Sequence, residues 1–366
     1  MSGRFRVVVL GGYGNFGAVI AAAVAKIDGV AVVVAGRDGP RANEHAARIG
    51  ATGARIDARE ATLASELATL SPQLVISTAG PFQDQDYVVA RAVMRAGAHY
   101  VDIADGRDFV CGIGALDDEA KSRGLLVVSG ASSVPALSSA VVDRLAAEFA
   151  QVREIDIGIS ASAKMPGLAT IGSVLAYCGK PFTRWKDGGW VRIHGWQGLR
   201  RHCFRDPPMT RWLCDCDVPD LAILPARHPG LRDARFGAGV ELLPVQLGLW
   251  FLALAVRARV LDNVARFSRP LRAAGRALQA LGTGRSAMFV RLTGTTREGE
   301  TRARTWELAA AHDEGVNVPC MAAVAMARKL ARGQLAARGA MPCVGLVSLQ
   351  DYLDELRPWS IRTLLA

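Results

Sequence analysis

The chain predicts an α/β fold: a doubly wound parallel sheet followed by a second, α+β unit. Three observations carry this. Short β-branched runs alternate with helical segments through the first third of the 366 residues. The first run ends in a glycine cluster that opens a helix. Between residues 133 and 153 the alternation gives way to a different pattern, which marks a boundary.

The first strand is Val7-Val8-Val9-Leu10, and it runs into Gly11-Gly12-Tyr13-Gly14-Asn15-Phe16-Gly17. An alanine-rich helix, Ala18 to Lys26, follows. Gly12-x-Gly14-x-x-Gly17 has the spacing of a dinucleotide-binding fingerprint in the strand-turn-helix context it requires. Gly12 allows the tight turn, Gly14 lets backbone approach a pyrophosphate, and Gly17 lets helix and strand pack closely. Backbone N–H groups at Tyr13, Asn15 and Phe16 then face the phosphates, helped by the positive end of the helix dipole.

The second strand, Ala31 to Ala35, ends in Gly36-Arg37-Asp38. A site for NAD places an acidic residue about 20 residues beyond the glycines, on the ribose 2′-OH. Arg37 stands there instead, with Arg41 one helical turn on. A guanidinium suits a 2′-phosphate, so the expectation is NADP(H). Asp38 comes one residue too late for the acidic role and reads as the cap of the next helix.

Ala54 to Asp57 is a third strand, and Asp57 either meets an adenine or caps the helix over 60–70. Gln73 to Ser77 is a fourth, closed by Thr78-Ala79-Gly80-Pro81. His99 to Ile103 is a fifth, ending at Ala104-Asp105-Gly106. Leu125 to Val128 is a sixth, followed by Ser129-Gly130-Ala131-Ser132-Ser133. Helices are expected over 40–49, 60–70, 86–96 and 116–123, the last with Gly124 as its C-cap. Right-handed crossovers bring all six strand ends to one edge, where ligands of open α/β sheets bind. That edge carries the glycine turn, Arg37, Thr78 to Pro81, Asp105 and Ser132.

The segments Leu74 to Phe82, Tyr100 to Gly106 and Ser129 to Pro135 resemble the saccharopine dehydrogenase-like family of NADP-binding oxidoreductases. They are also similar to trans-acting enoyl reductases, lipid-modifying relatives with the same Ser-Val-Pro turn. The resemblance covers about the first 150 residues and extends to a tail, Gly315 to Pro319 and Gly345 to Leu349. It implies NADP(H), hydride transfer, a mixed sheet in the second domain, a homodimer, and last helices that fold back on the nucleotide domain. The implied organisation is a Rossmann-type domain over 1–133, joined by helices within 319–366, and a substrate and dimerisation domain over 134–318.

In that second domain Leu137, Val141, Leu145 and Phe149 form one face of a helix. Ile155 to Ser160 reads as a strand and 168–177 as a helix, with Lys164 in the loop between. Lys164 can donate a proton or bind a carboxylate, or simply be solvated. Trp185 to Trp212 is rich in tryptophan, arginine and histidine, and reads equally as a substrate pocket or a dimer interface. Residues 242–256 are the most apolar stretch, too short to span a bilayer. A buried helix is the first reading, and peripheral membrane contact through 242–276, with its arginines, is the second. Residues 287–296 and 301–311 form a hairpin through Arg297-Glu298-Gly299-Glu300, and 319–332 is a closing helix.

Net charge is +10, yet only six of the 44 basic residues are lysine, and the arginines are spread without a basic run. Nucleic-acid binding is therefore not expected, while anionic small molecules fit. Seven scattered cysteines and the absence of an opening leader point to reduced thiols and a cytoplasmic protein. Cys214-Asp215-Cys216 lacks a second pair, so no metal site is expected. The function expected is an NADP(H)-dependent oxidoreductase acting on a C=N or C=O centre of a small, amino-acid-like anion. The alternatives are an enoyl reductase acting on a lipid or carrier-bound substrate, and a non-catalytic NADP(H)-binding sensor. Asp105 and Lys164 are the candidate proton donors.

Overall fold

The computed structural model describes residues 4–80, 82, 85–164, 168–262, 264 and 267–366. The chain forms two compact units, Met1–Leu137 with Val316–Leu356, and Ser138–Gly315 with Arg357–Ala366. Pro81 lies outside the described residues.

The first unit opens with β1 (Phe5–Leu10), α1 (Asn15–Val24), β2 (Val30–Gly36), α2 (Gly39–Arg48), β3 (Thr52–Arg55) and α3 (Leu63–Leu70). It continues with β4 (Leu74–Ser77), α4 (Val88–Arg95), β5 (His99–Asp102), α5 (Arg107–Gly112), α6 (Asp117–Ser122) and β6 (Leu126–Ser129). Val7, Val8, Val9, Val75, Ile76 and Val101 are fully buried, as strands covered by helices on both faces must be. Their β-branched side chains fill a pleated surface well, which is why these short runs are strands.

The second unit contains α7 (Ser138–Ala146), β7 (Gln151–Ala161), α8 (Leu168–Ala176), β8 (Pro181–Lys186), β9 (Gly189–His194), β10 (Arg200–Arg205) and β11 (Pro208–Asp215). It continues with α9 (Asp220–Arg227), β12 (Asp233–Val240), α10 (Leu243–Arg257), α11 (Ser268–Leu278), β13 (Ser286–Thr295) and β14 (Thr301–Ala310). The chain then returns to the first unit as α12 (Met321–Ala331), β15 (Gly339–Pro342) and α13 (Leu349–Leu356), and ends as β16 (Ile361–Leu365).

The first sheet has the order β15-β6-β5-β4-β1-β2-β3 and is parallel throughout. Its order reverses between β1 and β4, the switch point where doubly wound sheets bind ligands. The seventh strand, β15, was not expected: Gly-Ala-Met-Pro lacks the β-branched signature. It is held by register instead, with Gly339 N–H on Leu125 O at 2.8 Å and Cys343 N–H on Ser129 O at 2.7 Å.

The second sheet, β10-β11-β12-β7-β13-β14-β16, is mixed. Only β12 and β7 pair in parallel, and the long β13–β14 hairpin runs from Ser286↔Ala310 to Thr295↔Thr301. Beside its helices the tail of the chain holds two strands, β15 and β16. Residues 357–366 belong to the second unit, where β16 pairs with β14. It forms one edge of that sheet, half-buried at Ile361 and Leu364 and exposed at Arg362, Thr363 and Leu365.

Candidate cofactor site

The site is built where β1 hands over to α1. Gly11 takes φ +75°, a left-handed turn, and a Cβ there would lie 2.7 Å from Thr78 Oγ1. A Cβ on Gly12 would lie 2.7 Å from Val9 O, and one on Gly17 would strike Gly11 O. Thr78 ties β4 to β1: its N–H and its hydroxyl both donate to Leu10 O, at 2.9 and 2.8 Å. The glycine turn is thus closed around backbone, leaving no room for side chains.

α1 begins at Asn15 behind an N-cap glycine, Gly14, which offers no side-chain cap, and no acidic residue stands in the first turn. Gly14 and Asn15 are exposed and Phe16 is half-buried. Uncapped N–H groups at the positive end of a ten-residue helix are the physical fit for a pyrophosphate.

The end of β2 gathers the positive charge. Arg37 and Arg41 are exposed beside it. The Arg41 guanidinium lies 4.8 Å from the centroid of the Tyr13 ring. That ring covers Gly36, where any Cβ would meet it, and the Tyr13 hydroxyl accepts the Asp38 N–H at 2.9 Å. Asp38 Oδ1 accepts the Arg41 N–H at 3.1 Å and so caps α2. This turns the Asp38 carboxylate toward the helix and leaves Arg37 as the residue past the strand. Tyr13, Arg41, Glu44, His45 and Arg48 line a cavity of about 220 Å³. The last three lie one and two turns along α2 from Arg41, and sequence spacing gave no reason to single them out.

Asp57 is not the cap of α3, which starts only at Leu63. Its Oδ1 accepts the Arg59 N–H at 3.1 Å in a turn that follows the β2–β3 ladder. Ala79 is half-buried and Gly80 exposed beyond β4. Ser132 is buried, with its N–H on Gly130 O at 2.8 Å.

The carboxylate that the end of β5 buries is Asp102. Its Oδ1 accepts from Ala104 N–H, Ser129 Oγ–H and Gly130 N–H, each at 2.9 Å. Burial pushes this carboxyl up to about 6, against the opposing pull of those donors and of the Tyr100 hydroxyl. Asp105, by contrast, is exposed in the loop before α5, past the end of the strand. Asp102 therefore knots β5 to β6, a role that needs a buried partner on another strand and is invisible in a linear sequence.

In the second unit, Lys164 is exposed beyond β7, with its N–H 3.4 Å from Ser162 Oγ. The tryptophan-rich stretch is two hairpins, β8–β9 and β10–β11. Trp185 and Trp196 donate their indole N–H groups to Leu231 O and Val174 O, at 2.8 and 3.2 Å, and so serve the fold. His202 stacks on Phe289 at 3.7 Å, with Nε2 3.4 Å from Oε1 of the buried Glu307. Burial holds the His202 imidazole below its ordinary value, with Glu307 pulling the other way. Among the described residues no helix is long and apolar enough to cross a membrane. Nor does any group of three His, Cys, Asp or Glu side chains there have the arrangement to hold a metal ion.

Residues 7–128 match the family model of the saccharopine dehydrogenase NADP binding domain. No curated protein matches the chain. Among solved structures, it is similar to apo saccharopine dehydrogenase (L-Glu forming) from Saccharomyces cerevisiae. That match has 13% identity, covers 99% of each chain and gives a TM-score of 0.69. It is also similar to a homospermidine synthase from Legionella pneumophila in complex with NAD. There the identity is 12%, the coverage 99% of this chain and 91% of that one, and the TM-score 0.60. At such identities the structural likeness speaks for the fold. The class that fold and domain define is an NADP-dependent oxidoreductase, with a nicotinamide dinucleotide as cofactor. Within the first unit it is residues 7–128 that are similar to the saccharopine dehydrogenase-like NADP-binding family.

Proposed function

We propose that the protein moves a hydride between NADP(H) and the carbon of a C=N or C=O group on a small, amino-acid-like anion. The observation that supports it most is the closed glycine turn with Arg37 and Arg41 exposed at the neighbouring strand end. Tyr13, Asn15 and Phe16 would present backbone N–H groups to the pyrophosphate. Arg37 would grip the 2′-phosphate, and Arg41, steadied on the Tyr13 ring, would support it. Gly36 and Asp38 shape that strand end, while Asp57, Thr78, Ala79, Gly80 and Ser132 line the rest of the edge. NADPH, when bound, supplies the hydride.

The reduced nitrogen or oxygen then needs a proton. Asp105, in the loop after β5, and Lys164 are the candidate donors. Lys164 can alternatively hold a substrate carboxylate. The net charge of +10 favours anionic substrates.

Enoyl reduction on a lipid or carrier-bound substrate is the second reading, favoured by the exposed apolar face of α10. Loss of NADPH absorbance, followed across amino-acid imines, keto acids and enoyl thioesters, separates the two. Turnover of imines or keto acids supports the first reading, and turnover of enoyl compounds alone supports the second. Asp105→Asn keeps the size but removes the ionisable proton, so it should lower turnover and flatten its pH profile. An unchanged profile would remove Asp105 from the role. The reading also carries a cytoplasmic homodimer with its contacts in the second unit, where Trp190 is 51% exposed on β9. Light scattering at working concentration checks the dimer, and subcellular fractionation of the natural source checks the compartment.

A further inference from the structure

Large apolar side chains left exposed are concentrated in one stretch. Leu243, Phe251, Leu254, Val260, Leu271 and Leu281 all fall between residues 243 and 281. Three of them belong to α10, and Val260 is the third residue beyond its end.

α10 is firmly seated by its other side. Gln246 is fully buried, donating Nε2–H to Cys214 Sγ at 3.1 Å and accepting the Val240 N–H at 3.0 Å. Gln197 Nε2 donates to Trp250 O at 3.0 Å, and Ala253 is buried. Gln246 and Ala253 therefore define the inner face. Phe251 lies on the side away from them, and Leu243, Leu247 and Leu254 occupy the flank between. Phe251 is 60% exposed and Val260 is 74% exposed. A helix anchored so specifically has not simply missed its place in the core. Its outer stripe is built to meet something apolar.

The charges beside the stripe say what. α10 has no acidic residue and ends in Arg257, with Arg259 two residues on, and both arginines are exposed. From 242 to 282 the sequence holds six arginines and a single acid, Asp262. A second copy of the same patch would offer almost no carboxylate to answer Arg257 and Arg259. An anionic bilayer offers both an acyl boundary and phosphates. At 1.5 Å per residue, a helix of about 22 Å lies along such a surface rather than across it.

We propose that the outer face of α10 docks on anionic lipid bilayers. Phe251 and Leu254 enter the acyl boundary, and Arg257 and Arg259 meet headgroup phosphates. The surface lies wholly in the second unit and its test reads no catalytic activity, so it stands or falls apart from the reaction.

The test is co-sedimentation of the full chain with phosphatidylcholine vesicles, with and without phosphatidylglycerol. Binding should be at least ~tenfold stronger on the anionic vesicles and weaken as salt is raised. The double variant Phe251→Ser/Leu254→Ser should lose at least ~tenfold while melting as the wild type does. Arg257→Glu/Arg259→Glu should erase the preference for phosphatidylglycerol. Absence of binding at low salt, or unchanged binding by both variants, would overturn the proposal. So would a dimer in solution that these same substitutions dissociate, since the occupant would then be a second copy.

Discussion

Two apolar helices of this molecule meet opposite fates. In α12 every residue from Met321 to Ala327 is buried. Its alanines let α1, itself rich in alanine, lie close against it within the first unit. Its two cations are answered by α13. Arg328 makes bonds of 2.5 and 3.0 Å with Glu355, and Lys329 makes one of 2.8 Å with Asp351. α10 has larger apolar side chains, yet only Gln246 and Ala253 are buried. The difference is not hydrophobicity but cover. α12 has neighbours that share its small-residue surface and pair its charges. α10 lies on its sheet by one face, and Leu243, Phe251 and Leu254 stay exposed. Apolar composition alone does not bury a helix, and the side chains left over carry information about partners.

The largest expected effect comes from placing a charge in the covered helix. Val324→Asp puts an unpaired carboxylate in a fully buried position and should cost more than ~4 kcal/mol, enough to unfold the first unit. Urea unfolding followed by circular dichroism reads this. A cost near that of a surface substitution would break the contrast between the helices.

The same interior holds Asp102, and here pH is the probe. Its carboxyl sits at about 6 when folded and near 3.8 when unfolded. The folded state thus holds the proton more tightly, and Asp102's share of stability falls as pH rises from about 4 to about 6. Two units correspond to roughly 3 kcal/mol at most. Asp102→Asn should therefore gain stability relative to wild type across that window and hold a constant gap above it. A gap independent of pH would mean that the carboxylate is not penalised by burial.

The smallest expected effect is on the open helix. Phe251→Asp should change folding stability by no more than ~0.5 kcal/mol, because the side chain is already in water. A loss of several kcal/mol would show that the outer face of α10 is covered after all.

Much of the first unit was legible in sequence because its code is local. β-branched runs, glycine turns and Asp38 before a helix each state their structure within a few residues. What escaped depends on distant partners. β15 has no strand propensity and exists through its register with β6. β16 sits far along the chain from β14, and helical expectation for the tail gave no hint of it. In the candidate site, the glycine turn and the position of Arg37 just past β2 could be read directly. The cation–π contact of Arg41 with Tyr13 and the knot at Asp102 could not, because both join residues that only the fold brings together. For α10, length and apolarity suggested burial, but exposure depends on what lies above the helix, which no periodicity encodes.

On the proposed reading NADP(H) seats on the strand-end edge of the first unit, with Arg37 on its 2′-phosphate. Titrating NADPH and NADH onto wild type and Arg37→Ala tests it most directly. Wild type should prefer NADPH. Arg37→Ala should lose about 1.5–3 kcal/mol of NADPH affinity, tenfold or more, and leave NADH nearly unchanged. Equal affinities of the wild type for the two cofactors, or NADPH binding indifferent to Arg37, would contradict the account.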